Sequence, residues 1–321
     1  MTFEPAPFFK DIANAPQEAR AYWATAPDGV RVRLAHYGTP ATDTPKGTVL
    51  LFPGRTEYVE KYGPAAARFI SHGFACVAID WRGQGLADRQ LDDPATGHVG
   101  AFREYQHDAD LLLELVRALG LPRPLFLLGH SMGGGIGLRS LHRGLPVDAA
   151  AFSGPMWGIS LPGVVRPLAQ VLATLSHSAG FGHTYVPSTK PVTYVLGTDF
   201  HDNTLTRDRE MFDWLRRQLT VHPELALGGP SMTWLNEALR EMRILRNLPP
   251  PEIPCLTWVG ANERIVDIPT IRRLMTNWPE GTLRIVPEAE HELMMEVPVT
   301  RDAFIDAIAA HFSVARRRAA A

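Results

Sequence analysis

The sequence of 321 residues has few features of a secreted, membrane-spanning or nucleic-acid-binding protein. It contains only two cysteines, Cys76 and Cys255, each within a short apolar run, so we predict buried thiols without a disulfide framework. No run of about 18 apolar residues occurs, and the N-terminal segment lacks a basic stretch followed by an apolar one. We therefore expect no membrane span and no signal peptide, and we predict a cytoplasmic protein. The formal net charge of −2 gives no electrostatic reason to expect nucleic acid.

The sequence also lacks the spacings of common metal and cofactor sites. No cluster of His, Cys, Asp or Glu has the H-E-x-x-H or C-x-x-C spacing of a zinc site. The glycines between positions 129 and 137 contain fragments of a dinucleotide-binding pattern, but no acidic residue ends a second strand about twenty positions further on. We therefore predict neither a metal ion nor a cofactor.

Short apolar runs alternate with segments of helical periodicity along most of the chain. Several of these runs are apolar almost throughout, as in parallel strands that are buried on both faces. Residues 20–38 alternate between apolar and polar positions around a Pro-Asp-Gly turn, which predicts a β-hairpin. This alternation predicts an α/β fold with a mostly parallel, doubly wound sheet. The predicted strands are 48–52, 74–80, 125–129, 149–152, 255–260 and 282–286, and the predicted helices between them include 63–71, 102–118 and 132–143.

One interval of about a hundred residues, between 149–152 and 255–260, contains no convincing strand. Its helical patterns include 211–219 and 234–245, with glycine and proline between them. A loop of this length without structure is uncommon in a compact domain. We therefore predict a helical cap at 157–247, inserted between two late strands of a core formed by 1–156 and 248–321.

The strand predicted at 125–129 leads directly into Gly129-His130-Ser131-Met132-Gly133 and then into a helix of small residues. This is the G-x-S-x-G nucleophile elbow in its strand–turn–helix context. Glycines on both sides allow the sharp turn, which exposes the serine hydroxyl at the carboxyl edge of the sheet. The motif predicts the α/β-hydrolase fold, with Ser131 as the nucleophile.

A serine hydroxyl needs a base, and the base needs a third group that orients it. In this fold the chain order is serine, acid, histidine. His291 follows the last predicted strand on a loop that can reach the elbow, so we predict that it is the base. Glu263, three residues past the strand 255–260, is the preferred acid, and Asp267 is the alternative.

An oxyanion needs hydrogen-bond donors that are already in place. The backbone N–H of Met132, directly after the nucleophile, is the first predicted donor. The second is the backbone N–H of Arg55, on the loop that follows the strand 48–52. Because both donors belong to the main chain, the side chains at these positions need not be polar.

Five segments resemble the lysophospholipase and monoacylglycerol-lipase branch of the α/β-hydrolases, and the resemblance covers roughly residues 30–312. It includes the cap, where LTRDREMF and GGPSMTWLNEAL are similar to that branch. Two positions differ from the branch pattern: Pro53 stands where histidine is usual in the oxyanion loop, and Glu263 stands where the acid is commonly aspartate. The five segments are FPGRTEYVEKY, DWRGQG, GHSMGG, ANERIVD and AEHELMME.

The resemblance implies an enzyme that hydrolyses a carboxylic ester with a medium or long acyl chain, such as a monoacylglycerol or a lysophospholipid. Apolar cap residues are expected either to line an acyl tunnel or only to join the cap to the core. The candidates are Trp157, Leu161, Val165, Leu168, Trp214 and Trp234.

Other functions remain open at this point. They are a short-chain carboxylesterase, an aminopeptidase-like amidase, an acyltransferase that uses an alcohol in place of water, and a catalytically inactive binding module on the same scaffold. The basic tail at 316–318 suggests weak peripheral contact with a membrane. The sequence leaves the acyl length, the head group and the oligomeric state undetermined.

Overall fold

The computed structural model describes residues 2–160 and 180–319 and places a nine-stranded sheet at the centre of the molecule. The strand order is β1-β2-β3-β5-β4-β6-β7-β8-β9. The pairs β1/β2, β2/β3 and β3/β5 are antiparallel, and the other pairs are parallel. The strands are β1 (Glu4–Ala6), β2 (Arg20–Thr25), β3 (Arg31–Gly38), β4 (Thr48–Phe52), β5 (Ala75–Asp80), β6 (Leu125–His130), β7 (Ala149–Ser153), β8 (Cys255–Gly260) and β9 (Gly281–Val286).

The predicted hairpin and all six predicted core strands are confirmed, and the short edge strand β1 was not predicted. The predicted helices are confirmed at Gly63–Ser71, Tyr105–Ala118 and Met132–His142. The remaining α-helices of the described ranges are Lys10–Ala13, Tyr194–Gly197, Arg209–Val221, Met232–Leu245, Ile268–Thr276 and Pro298–Ala319. None of these helices combines the length and apolar character needed to cross a membrane.

The central strands are apolar throughout because each face of the sheet has its own core. Along β4, Leu50 and Phe52 belong to one buried cluster, whereas Val49 and Leu51 belong to the other. Successive side chains of a strand point to opposite faces, so a strand covered on both sides must be apolar at every position. Helices on each face therefore bury β4 to β7 completely.

Both cysteines are free and buried, as predicted. Burial raises the pKa of Cys255 to about 12 and the pKa of Cys76 still further. Neither thiol is a thiolate near neutral pH, so both act as small apolar side chains of the core.

The described part of the predicted cap contains two amphipathic helices with side-chain caps. Asp208 accepts hydrogen bonds from the backbone at the start of Arg209–Val221, and Ser231 accepts one from Trp234 N at the start of Met232–Leu245. Such caps satisfy the free N–H groups of a helix start. These helices match the two patterns expected at 211–219 and 234–245, whereas the cap boundaries at 157 and 247 stay predictions.

A buried ion cluster joins the antiparallel and parallel parts of the sheet. Arg33 Nε donates to Asp80 Oδ2 at 2.7 Å, and its Nη1 and Nη2 donate to the Glu60 carboxylate at 2.8 and 2.7 Å. Asp80 Oδ1 also accepts the backbone N–H of Val59 at 2.8 Å. All three charged side chains are fully buried, so removing one partner leaves an uncompensated charge in the core.

We predict that Arg33→Met lowers the free energy of unfolding by about 3–5 kcal/mol. The matched control is Arg68→Met, because Arg68 is paired with Asp306 on the surface, where both side chains are roughly half exposed. The control is expected to cost at most about 1 kcal/mol. Urea denaturation followed by circular dichroism measures both variants. Equal losses of unfolding free energy in the two variants would contradict the role assigned to the buried cluster.

Candidate active site

Ser131 lies on a sharp turn between β6 and the helix Met132–His142. Its backbone is left-handed, with φ of 49° and ψ of −118°, a strained conformation for a residue other than glycine. The turn is tightly packed, because a Cβ at Gly133 would overlap the backbone carbonyl of Phe52. A hydrogen bond from Ser131 N to Ser153 O, at 3.0 Å, joins the turn to the end of β7.

His291 and Glu263 form a buried pair at the same edge of the sheet. His291 Nδ1 and Glu263 Oε2 are 2.6 Å apart. The other carboxylate oxygen, Oε1, accepts the backbone N–H groups of Ile265 at 2.6 Å and Val266 at 3.0 Å. The turn after β8 therefore fixes the carboxylate, and the carboxylate in turn holds the imidazole in one orientation.

Burial and pairing shift the pKa of each group of this pair in opposite directions. Burial alone lowers the pKa of His291, but the facing Glu263 carboxylate, with Glu292 and Glu57 further away, raises it above its usual value. Burial raises the pKa of Glu263, but the charge and hydrogen bond of His291 bring it below its usual value. The pair therefore favours an ionised carboxylate and stabilises an imidazolium.

Asp267, the alternative acid, lies elsewhere. It precedes the helix Ile268–Thr276, and its Oδ2 accepts the hydroxyl of Thr270. Its backbone N–H donates to Gly158 O at 2.9 Å. The carboxylate that contacts His291 Nδ1 is that of Glu263.

Gly154, directly after β7, makes room for the His–Glu pair, and the sequence analysis missed it. Its φ is +47°, and a Cβ there would lie 3.1 Å from His291 Nδ1 and 3.3 Å from Glu263 Oε2. The pair therefore lies against the backbone of the strand next to the elbow. The signal in the sequence is a glycine that ends a buried strand, which is too common a pattern to identify a site.

The two predicted oxyanion donors lie at the start of the helix after the elbow and on the loop after β4. Among the described residues, neither the Met132 nor the Arg55 backbone N–H donates to a protein acceptor. Met132 is completely buried. A buried N–H group without an acceptor is costly, and an arriving oxyanion would satisfy it.

Side chains from the loop after β5 hold the oxyanion loop in place. Trp81 Nε1 donates to Pro53 O at 2.9 Å. Gln84 Nε2 donates to Gly54 O at 3.0 Å, and Gln84 Oε1 accepts the backbone N–H of Thr56 at 3.2 Å. Although the usual histidine is replaced by Pro53, the loop is therefore held on several sides.

Glu57 also holds this loop and belongs to a buried charge network that the sequence analysis did not predict. Its Oε2 accepts the N–H of Gly54 and the hydroxyl of Tyr62, and its Oε1 accepts Lys61 Nζ at 2.7 Å. Lys61 Nζ also donates to Glu292, the residue after His291. The network thus joins the oxyanion loop to the histidine loop. The i,i+4 spacing of Glu57 and Lys61 was the available signal.

His130 lies against this network but is neutral. Its Nε2 is 3.5 Å from Glu57 Oε1, and its ring centre is 4.9 Å from that of His291. Burial lowers the pKa of His130 to about 3, despite the nearby Glu57 carboxylate. A neutral ring adds no positive charge beside His291.

Glu57, His130 and Glu292 present one ligand atom each within 4.8 Å of one another, a grouping able to hold a metal ion. The Lys61 ammonium, however, lies between both carboxylates and donates to each. A protein cation therefore neutralises the acidic groups, and the donor set does not fit an added metal ion. The absence of a metal and of a cofactor stays a prediction.

Of the six predicted tunnel residues, three lie in the described ranges, and they pack into the core. Trp157 is buried, and its Nε1 donates to Gly134 O at 3.1 Å. Trp234 Nε1 donates to the Tyr105 hydroxyl at 3.2 Å, and Trp214 is buried in the second core cluster. These contacts join the predicted cap to the core. Leu161, Val165 and Leu168 lie outside the described residues.

This sheet order is that of an α/β-hydrolase, and so is a serine on a strained turn after a central strand. Solved structures confirm this fold class. A soluble variant of monoglyceride lipase from Saccharomyces cerevisiae aligns with a TM-score of 0.70 and 19% identity, covering 97% of this chain and 99% of that one. A carboxyl esterase from Bacillus coagulans aligns with a TM-score of 0.72 and 17% identity, covering 93% and 99%. At these identities the similarity establishes the fold alone.

Sequence comparison gives the family. A family model described as serine aminopeptidase, S33 (Hydrolase_4) matches residues 43–298, so the chain belongs to this hydrolase family. "Probable lysophospholipase L2" of Haemophilus influenzae is 30% identical over 250 residues, 77% of this chain and 78% of that protein. "Lysophospholipase L2" of Escherichia coli K12 is 29% identical over 302 residues, 90% and 86% of the two chains.

We predict that Glu57→Gln lowers kcat by about 10-fold or more, because a misplaced oxyanion donor costs transition-state stabilisation. KM should change less than kcat. The matched variant Tyr62→Phe removes one hydrogen bond to the same carboxylate oxygen but keeps the Gly54 contact, so its kcat should fall less.

Steady-state kinetics, normalised to the folded fraction from circular dichroism, measure both variants. A purely structural role for Glu57 would lower the folded fraction and leave kcat per folded molecule intact, which would contradict this prediction.

Proposed function

We propose that this enzyme hydrolyses carboxylic esters of lipids through an acyl-enzyme on Ser131. The observation that carries the proposal is the 2.6 Å contact between His291 and Glu263 at the sheet edge where the serine turn lies. The curated relatives support the lipid substrate, since they include lysophospholipases L2 and monoglyceride lipases from Mycolicibacterium smegmatis, yeast and human. The sequence-based expectation of a lipid ester hydrolase agrees with them.

In the proposed mechanism, Ser131 Oγ attacks the ester carbonyl while His291 Nε2 accepts the hydroxyl proton. Glu263 holds Nδ1 and stabilises the imidazolium. The Met132 and Arg55 N–H groups donate to the oxyanion. His291 then protonates the leaving alcohol, and water releases the acid by the same steps with the roles reversed.

The alternatives have weaker support. An aminopeptidase would need free carboxylates in the cap to hold the ammonium group of its substrate. Of the candidates Asp199, Asp202, Asp208 and Glu210, Asp208 is already used as a helix cap and lies 3.6 Å from Arg301. The relatives named as lysophospholipases and monoglyceride lipases also favour an ester substrate. An inactive module would have no need of a buried His–Glu pair beside a strained serine. The cytoplasmic location and the weak membrane contact through residues 316–318 stay predictions from the sequence.

We predict that the enzyme turns over medium- or long-chain monoacyl esters faster than acetyl esters. An apolar acyl site gains binding energy with each methylene that it buries, about 0.8 kcal/mol. A series of 1-monoacylglycerols and p-nitrophenyl esters from acetyl to palmitoyl measures this as kcat/KM against chain length. Fastest turnover of acetyl esters, with none of long chains, would replace the lipase assignment with a short-chain esterase.

We predict that Glu263→Gln lowers kcat by about 10⁴-fold and moves the acid limb of the pH profile of kcat/KM. The base must be neutral, and Glu263 raises the pKa of His291, so the wild-type limb should lie above about pH 6.5. Without the carboxylate, the pKa of His291 falls and the limb moves to lower pH.

The matched control is Asp267→Asn, which should leave the acid limb in place. If the acid limb moved in Asp267→Asn and not in Glu263→Gln, the role of orienting His291 would belong to Asp267.

A further inference from the structure

The side chain of Arg55 is a cation without a carboxylate partner beside the proposed oxyanion site. Its Nη2 donates to Gly228 O of the cap at 2.6 Å, and its guanidinium carbon lies 5.2 Å from the ring centre of Trp234. Its Nε is buried and has no hydrogen-bond partner among the described residues. Burial lowers the pKa of Arg55 to about 10, which leaves it charged at neutral pH, and only tyrosines lie near enough to oppose this shift.

The two fully buried arginines of the described ranges are each paired with carboxylates. Arg33 is paired with Glu60 and Asp80, and Arg82 with Asp108 and Asp28. Residues 161–179, which the structure does not describe, contain no Asp or Glu in the sequence. Because buried charges in proteins are normally paired, an unpaired guanidinium at a substrate site indicates an anion that arrives with the ligand.

The position of Arg55 suits a phosphate on the alcohol part of a lipid ester. Its backbone N–H is a proposed oxyanion donor, and its guanidinium lies within one side-chain length of that donor, roughly 7 Å. The hydrogen bond from that N–H to the oxyanion adds about 3 Å to this length. In a lysophospholipid, the glycerol unit places the phosphorus roughly 7 Å from the ester carbonyl, so a hydrogen bond from the guanidinium to a phosphate oxygen can span the remaining distance. Arg55 as a residue is only partly buried among the described residues.

Gly97 leaves space for this guanidinium, and Gly228 supplies it with a hydrogen-bond acceptor. A Cβ at Gly97 would overlap Arg55 Nη2, and the carbonyl of Gly228 accepts the Nη2 proton from the cap side. The loop at 97 and the cap are joined, since Gly97 N donates to Gly229 O at 2.9 Å. The guanidinium is thus held between core and cap, while its Nε has no hydrogen-bond partner among the described residues.

We propose that the Arg55 guanidinium binds the phosphodiester of a lysophospholipid and so makes the enzyme select phosphate-bearing monoacyl lipids over neutral monoacylglycerols. This inference rests on the proposed lipid-ester function. Guanidinium suits the task because its planar set of donors matches phosphate oxygens. Arg55 acts here as a specificity residue through its side chain, separately from its backbone N–H.

The test compares two substrates with the same acyl chain, 1-palmitoyl-lysophosphatidylcholine and 1-palmitoylglycerol, in identical detergent micelles. The measured quantity is the ratio of their kcat/KM values for the full chain. Arg55→Met should lower this ratio by about 10- to 100-fold, the effect of losing a charged hydrogen bond. Arg55→Lys keeps the charge and should recover part of the ratio.

Arg89→Met is the matched control. Arg89 also reaches the cap and also binds backbone carbonyls, but it has four of them as acceptors, those of Gly83, Gly85, Glu224 and Ala226, where Arg55 has one. Its loss should change both substrates by the same factor. If Arg55→Met behaves in this way too, Arg55 only fastens the cap, and the inference is overturned.

Two further results separate the possible failures. A wild-type enzyme that hydrolyses 1-palmitoylglycerol but not the lysophospholipid overturns this inference and leaves the proposed function standing, whereas hydrolysis of acetyl esters alone overturns both.

Glycerophosphocholine should inhibit 1-palmitoylglycerol hydrolysis more strongly than inorganic phosphate does, and Arg55→Met should remove this inhibition. Arg55-dependent inhibition by inorganic phosphate alone would indicate a free-phosphate site and overturn the head-group assignment.

Discussion

The close approach of backbone segments around the serine turn is the constraint on which the rest of the site depends. Gly133 packs against the end of β4, and the hydrogen bond from Ser131 N to Ser153 O ties the turn to β7. The surrounding sheet therefore holds Ser131 in a left-handed conformation that an isolated chain would avoid. The same packing brings the loop after β4 beside the start of the following helix, where the proposed oxyanion donors lie.

The second feature of this molecule is its buried charged side chains, most of which are paired with an opposite charge. Arg33 fixes the junction of the antiparallel and parallel strands, and Lys61 connects the oxyanion loop with the histidine loop through Glu57 and Glu292. In both clusters at least one partner comes from a distant part of the chain, so the charges specify how loops meet. Arg55 departs from this pattern, because no carboxylate of the described residues is paired with it, and we propose that a ligand supplies the anion.

Much of the architecture could be predicted because a strand buried on both faces must be apolar, and a helix on one face must be periodic. The strands from β4 to β8 follow from that rule, and Glu263 and His291 follow from their places after β8 and β9. The edge strand β1 could not be predicted, because its three residues Glu-Pro-Ala carry no apolar pattern. Gly154 and the Glu57–Lys61–Glu292 network were not predicted for a different reason. Their roles depend on contacts with residues that are distant in the chain.

The sequence by itself determined the fold class, the serine turn and the order in which candidate acid and base follow it, because these depend on local spacing and on burial patterns. It left Glu263 and Asp267 both open as acids. Only the tertiary structure put Glu263 against His291 and Asp267 against Thr270, since that choice depends on how two loops at the ends of neighbouring strands turn. It also showed that Trp81, Gln84 and Glu57 hold the loop that starts at Pro53 and carries the proposed oxyanion donor, because contacts between distant segments form only when the sheet assembles.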